Sequence, residues 1–324
     1  MTVKYISTMS TQPINSSTTS VMSNKPQTWI WKQFKTSFIQ HPSIDNANRA
    51  IILIHGFGAC KEHWRGNMES LSKLGNVYAI DLVGFGESAK PTSHLKDETP
   101  SSDSFCYGID AWAQQVTDFV QEIANAEKIV LAGNSIGGVV ACQTAKKLED
   151  QESQAEKLIL IDCAQREIDD KRLSEQPPFR RLSKPLLKKL VRQRWLTRTL
   201  YKALAKKGII QKVLELAYPT KQNVDDELIN VLYKATQDRN ADEAFRGFIN
   251  LFDDLLAPDI MKKLSTPVHL IWGEKDPWEP LAIAKTWISI DCVKSIQVLP
   301  DLGHCPHDEC PQVVNSEITS ILQA

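Results

Sequence analysis

The sequence predicts an α/β fold: a mostly parallel central sheet, helices on both faces, and an inserted helical cap. Three observations predict it. Short continuous apolar runs at 50–54, 77–80 and 128–132 suit strands buried on both faces. Segments with helical spacing separate such runs, as at 109–124, where Trp112, Val116, Phe119, Val120 and Ile123 share one side. The chemically capable residues fall just past the ends of the strands, where open α/β sheets bind ligands.

In chain order, 29–35 and 36–40 are expected to be antiparallel strands. Strands follow at 50–54, 77–80, 128–132, 158–161, 268–272 and 295–299, with helix-like segments between them. The expected division is a disordered tail at 1–27, a first core part at 28–164, a cap at 165–238 and a second core part at 239–324. The tail is rich in Ser, Thr and Asn and has no Asp or Glu. It lacks the Arg of a plastid transit peptide and the apolar core of a secretory signal, so a plain tail is the favoured reading.

With 324 residues, the chain suits one large domain or a domain with an insertion. A net charge of −1 gives the whole molecule no attraction to polyanions, and no apolar run approaches the ~20 residues of a membrane span. Seven cysteines at irregular spacing argue against a disulfide framework and for an intracellular setting. His304, Cys305, His307 and Cys310 invite a metal reading, but the spacing is tight and proline-interrupted, so neither metal nor cofactor is expected.

The strongest motif is Gly133-Asn134-Ser135-Ile136-Gly137. It lies between a strand-like run and a helix-like run, the context of a nucleophile elbow. Asp276 follows the penultimate strand and His304 the last. Serine, acid and base thus occur in the chain order Ser, Asp, His. Ser135 is the expected nucleophile, His304 the base that takes its proton, and Asp276 the group that orients the ring. The backbone N–H groups of Phe57 and Ile136 are the expected oxyanion donors. His55, Trp64, Trp112 and Trp278 are expected near substrate, His55 as a shaper of the oxyanion loop. Asp162 also ends a strand and rivals Asp276. His307 is read as a surface residue, and Asp81 as a buried anchor.

Residues 171–212 hold fourteen Lys and Arg against the single acid Glu175, interleaved with leucines at helical spacing. Such a cationic amphipathic segment suits an anionic membrane surface or the lid of a site, and the two are compatible. It lacks a nucleic-acid recognition motif.

Several stretches carry a resemblance: His55-Gly56-Phe57-Gly58-Ala59 with His63-Trp64-Arg65, Asp81 to Ser88, Asn134 to Gly138, Trp272 to Pro280, and Gly303-His304-Cys305-Pro306 with Asp308-Glu309. The chain resembles the α/β-hydrolases, and more narrowly the plant and cyanobacterial chlorophyll dephytylases, from about Trp29 onward. The family tends to have Gln at His307 and a small residue at Cys310. The cap matches least. The resemblance implies hydrolysis of the phytyl ester of chlorophyll or pheophytin. It further implies a location in cyanobacterial cytoplasm or plastid stroma, peripheral at most to the thylakoid. A general carboxylesterase or lipase, a carbon–carbon bond hydrolase, and a hydrolase-shaped receptor without turnover are the alternatives.

Overall fold

The computed structural model describes residues 2–5, 25–46 and 48–324. Nine strands form one sheet: β1 (Thr2–Tyr5), β2 (Gln27–Trp31), β3 (Phe34–His41), β4 (Arg49–Ile54), β5 (Asn76–Ile80), β8 (Lys128–Asn134), β9 (Lys157–Ile161), β10 (Val268–Gly273) and β11 (Val293–Leu299). Between β5 and β8, the short strands β6 (Thr92–Ser93) and β7 (Ser104–Phe105) pair separately. The order across the main sheet is β1-β11-β10-β9-β8-β4-β5-β3-β2. Only the β5-β3-β2 end is antiparallel. Ile51, Ile52, Leu53 and Ile54 of β4 are wholly buried, which is why that strand reads as an unbroken apolar run.

Helices α1 (Met68–Leu71), α2 (Ile109–Phe119) and α3 (Ile136–Asp150) belong to the first part of the chain. Helices α4 (Pro178–Val191), α5 (Arg194–Leu204), α6 (Lys207–Ala217), α7 (Asp226–Thr236) and α8 (Ala241–Ile249) lie between β9 and β10. The remaining helices are α9 (Ala257–Met261), α10 (Leu281–Thr286), α11 (Pro306–Glu309) and α12 (Pro311–Gln323).

Two apolar cores sandwich the sheet. One gathers α2 and α3 with residues such as Phe119, Val139 and Trp272. The other joins β4 and β5 to α12 through Leu53, Val77 and Ile318. A third cluster docks α6 and α7 through Leu214, Tyr218 and Leu232 onto Cys60 and Cys305. It anchors the inserted helices beside the loop that bears His304.

The structure departs from the sequence expectations in four places. The expected tail includes Thr2–Tyr5, which pair in parallel with β11, whose outer edge offers unpaired backbone groups. It also includes Gln27, the first residue of β2. Residues 6–24 lie outside the described residues. The hairpin turns at Lys32-Gln33, not at 35–36, because Trp31 pairs with Phe34. Lys32 takes φ 55° there, a conformation that lysine does not advertise. The helical run extends past residue 238 through α8, whose Phe245 packs on Tyr201 of α5. Finally, Trp112 is a core residue and not a substrate contact. It is fully buried, and its indole donates to the Val83 carbonyl at 2.9 Å.

Candidate active site

Ser135 sits between β8 and α3 at φ 55°, ψ −124°, a region L-residues rarely adopt. Two glycines permit the turn. A Cβ on Gly133 would lie 2.2 Å from the Gly137 carbonyl oxygen, and one on Gly137 would lie 2.4 Å from that of Ile54. The Ser135 N–H donates to Ile161 across the sheet, and its carbonyl accepts from Gly138 and Ala164, each at 3.0 Å. These bonds hold the strained residue in place.

Asp276 and His304 meet: Asp276 Oδ2 lies 2.7 Å from His304 Nδ1. Asp276 Oδ1 accepts from the backbone N–H of Trp278 at 2.8 Å and of Glu279 at 3.1 Å. One oxygen builds the turn and the other holds the imidazole. The His304 N–H donates to Ala217 at the end of α6, and its carbonyl accepts from the Asn134 side chain, both at 2.9 Å. Asn134, next to Ser135, thus ties the His304 loop to the turn after β8. Trp278 lies edge-on to the His304 ring at 4.8 Å and is exposed.

The His55-Gly56-Phe57 loop leaves β4 against the elbow. A Cβ on Gly56 would stand 3.1 Å from Ser135 Cβ. Ile136 opens α3, where helix geometry leaves the first N–H groups without an intrahelical acceptor. The Phe57 ring stacks on Phe248 of α8, with centroids 3.7 Å apart. His55 is buried, so it is not a substrate contact. Its Nδ1 lies 2.7 Å from the Gly56 carbonyl and its Nε2 accepts from the Leu82 N–H at 3.1 Å, which assigns the proton to Nδ1. Burial pulls its pKa down to about 4, keeping it neutral. It joins the 55–57 loop to the loop after β5.

That second loop hangs on Asp81. The buried carboxylate accepts from Lys61 N at 2.7 Å, Lys61 Nζ at 2.9 Å and Glu87 N at 2.8 Å. Burial raises its pKa, while the lysine and the two amides pull it back down.

Two expectations fail behind His304. Trp64 is fully buried, with no hydrogen-bond partner for its indole among the described residues, and packs against His307 at 4.2 Å between ring centroids. It is a packing residue, not a substrate contact. His307 is wholly buried, not on the surface, because α11 turns inward as it leaves the base loop. All four ring nitrogens of His63 and His307 lack partners among the described residues. Burial pushes the pKa of His63 down to about 3 and that of His307 well below its usual value.

The contacts of three acids escaped the sequence reading. Glu309 accepts from the Gly303 N–H at 2.8 Å and so pins the turn before His304. Glu279 is mostly buried and accepts from Gln165 N at 2.7 Å, and burial raises its pKa to about 8. Asp162, weighed only as a rival to Asp276, accepts from Gly273 N at 2.9 Å. Burial first, and the neighbouring Asp276 second, push the pKa of its carboxyl up from the ordinary range. Acidic residues past strand ends were visible in the sequence, but their neighbours were not.

Comparison with known proteins bears on the family and the fold. The Alpha/beta hydrolase family profile matches residues 51–317. An uncharacterised hydrolase of Bacillus subtilis, YugF, is 24% identical over 276 residues, covering 85% of this chain and 90% of its own. The chloroplastic pheophytinase of Arabidopsis thaliana is 25% identical over 314 residues, covering 88% of this chain and 63% of its own. Among solved structures, a Thermogutta terrifontis esterase superposes with TM-score 0.65 at 20% identity, covering 92% and 98% of the two chains. The epoxide hydrolase CorEH superposes with TM-score 0.71 at 17% identity, covering 91% and 97%. These likenesses below 25% identity speak for the fold alone. The profile, matching most of the chain, is decisive: the protein belongs to the alpha/beta hydrolase family.

Proposed function

We propose that the protein is a serine esterase acting on a long-chain carboxylic ester, with the phytyl ester of chlorophyll or pheophytin as its substrate. The observation that carries the reading is the 2.7 Å pairing of Asp276 with His304, tied through Asn134 to the strained Ser135. Ser135 Oγ attacks the ester carbonyl while His304 Nε2 takes its proton. The oxyanion that forms is met by the N–H groups of Phe57 and Ile136 and by the positive end of α3. The carbon–oxygen bond to the alcohol breaks as His304 returns the proton to it. Water, deprotonated by His304, then opens the acyl-enzyme and frees the acid. Asp276 keeps Nδ1–H in place throughout. The likeness to the Arabidopsis pheophytinase supports the pigment as substrate.

The test is incubation of the protein and its Ser135→Ala variant with detergent-solubilised chlorophyll a and pheophytin a, followed by chromatography for phytol. Phytol release by the wild type alone supports the reading. Cleavage of short esters without phytol release refutes the pigment and keeps the esterase. No ester turnover at all refutes both.

A further inference from the structure

Helix α4 is inside out. A surface helix of a water-soluble protein turns its apolar stripe inward. Here Lys184 is the buried residue, its Nζ 2.6 Å from the Ile168 carbonyl and 2.9 Å from Asp170. Phe179, Leu182 and Leu186, at helical spacing on the other side, face outward, with Leu182 83% exposed. Trp195, near the start of α5, is 68% exposed. An apolar stripe of this size facing water calls for a partner.

The charges around it state which partner. Residues 171–212 carry a net +13, although the whole chain is −1. Arg192, Arg194 and Arg198 are paired with Asp97, Glu243 and Asp242 and fasten the helices to the body. Arg180, Lys189, Lys202, Lys206 and Lys212 are exposed, and among the described residues no carboxylate lies within ion-pair distance of them. A second copy meeting this face would bring the same charge. A nucleic acid would satisfy the cations and leave the leucines against phosphate.

We infer that α4 and α5 form a docking surface for an anionic lipid bilayer, with Phe179, Leu182, Leu186 and Trp195 entering the interface and the unpaired cations meeting lipid phosphates. The docking stands independently of the ester reading. Its use rests on that reading: Tyr201 of α5 packs on Phe245 of α8, whose Phe248 stacks on Phe57. The lipid-facing helices are therefore two ring contacts from the oxyanion loop, and a bilayer-dissolved ester would enter there.

The test is co-sedimentation of the full chain with vesicles of phosphatidylcholine alone and of an equimolar mixture with phosphatidylglycerol. Wild type should pellet with the anionic vesicles and stay in solution with the neutral ones. Lys202→Glu/Lys206→Glu should weaken anionic binding by at least about thirtyfold, from roughly fivefold for each lost cation. Leu182→Glu/Trp195→Glu should abolish it. Circular dichroism and cleavage of p-nitrophenyl butyrate should not change in either variant. Equal binding to both vesicles, no binding, or full binding by Leu182→Glu/Trp195→Glu would overturn the inference. Preference for duplex DNA over anionic vesicles would show a polyanion site instead. Vesicle binding without turnover of any ester would sink the ester reading and leave the docking surface standing.

Discussion

Asparagine at position 276 separates the geometry of the acid from its charge. In Asp276→Asn the side-chain oxygen still accepts from Trp278 and Glu279, so the turn after β10 survives. The amide nitrogen replaces the oxygen that lies 2.7 Å from His304 Nδ1. Two N–H groups cannot face each other at that distance, so Nδ1 must become an acceptor. The ring proton then moves to Nε2, the nitrogen that must be empty to take the Ser135 proton. A base locked in the wrong tautomer lowers kcat by about ten thousandfold, or about 5.5 kcal/mol of transition-state stabilisation. The assay is kcat for p-nitrophenyl butyrate near neutral pH, with a thermal melt to show the fold intact. Asp162→Asn is the counterpart. Its oxygen still accepts from Gly273, and no other bond is lost, because the second carboxyl oxygen has no hydrogen-bond partner among the described residues. It should stay within about tenfold of wild type. If Asp276→Asn keeps near-normal turnover while Asp162→Asn collapses, the acid sits after β9 and the assignment is wrong.

Other expectations follow from the same geometry. Lys61→Met strands the buried Asp81 carboxylate and should cost about 3–5 kcal/mol in urea unfolding; a loss under 1 kcal/mol would show that the two backbone amides suffice. Gly137→Ala drives a methyl into the Ile54 carbonyl and should yield little folded protein, which soluble expression reports directly. His55 and His63 are neutral when folded, with pKa values of about 4 and 3, but take up protons near pH 6.5 when unfolded. Because the unfolded state binds more protons, stability is retained above pH 6.5 and falls as the pH drops toward 4. The slope is about 1.4 kcal/mol per histidine per pH unit, and His63→Gln should flatten it. Glu279, raised to about 8, has the opposite sign: it costs stability as pH climbs from about 4.5 toward 8. Glu279→Gln should therefore raise the melting temperature at pH 8 more than at pH 5.

The sheet was readable because strands such as β4 and β9 are buried on both faces and must be apolar throughout. The elbow was readable because its glycines answer to backbone contacts a few residues away or on the adjoining strand. What escaped depends on neighbours distant in sequence. Trp112 and Trp64 have the residue type of a ligand-binding wall, and only the layer above each decides that they are core. His307 sits on a four-residue helix whose direction is set by Glu309 gripping Gly303 and Thr220, bonds that no local pattern announces. The upward shift of the Asp162 pKa comes from its burial and its carboxylate neighbour Asp276, which sequence separates by more than a hundred residues.

If Ser135 is the nucleophile as proposed, its dihedral angles set fitness for catalysis against resistance to heat. Any side chain at that position carries about 1–3 kcal/mol of backbone strain that glycine would relieve. A library screened solely for survival at high temperature should therefore enrich Ser135→Gly, a protein that is sturdier and inert. Directed evolution of thermal tolerance in this scaffold thus needs a turnover requirement in every round, because a strained residue is also the proposed nucleophile.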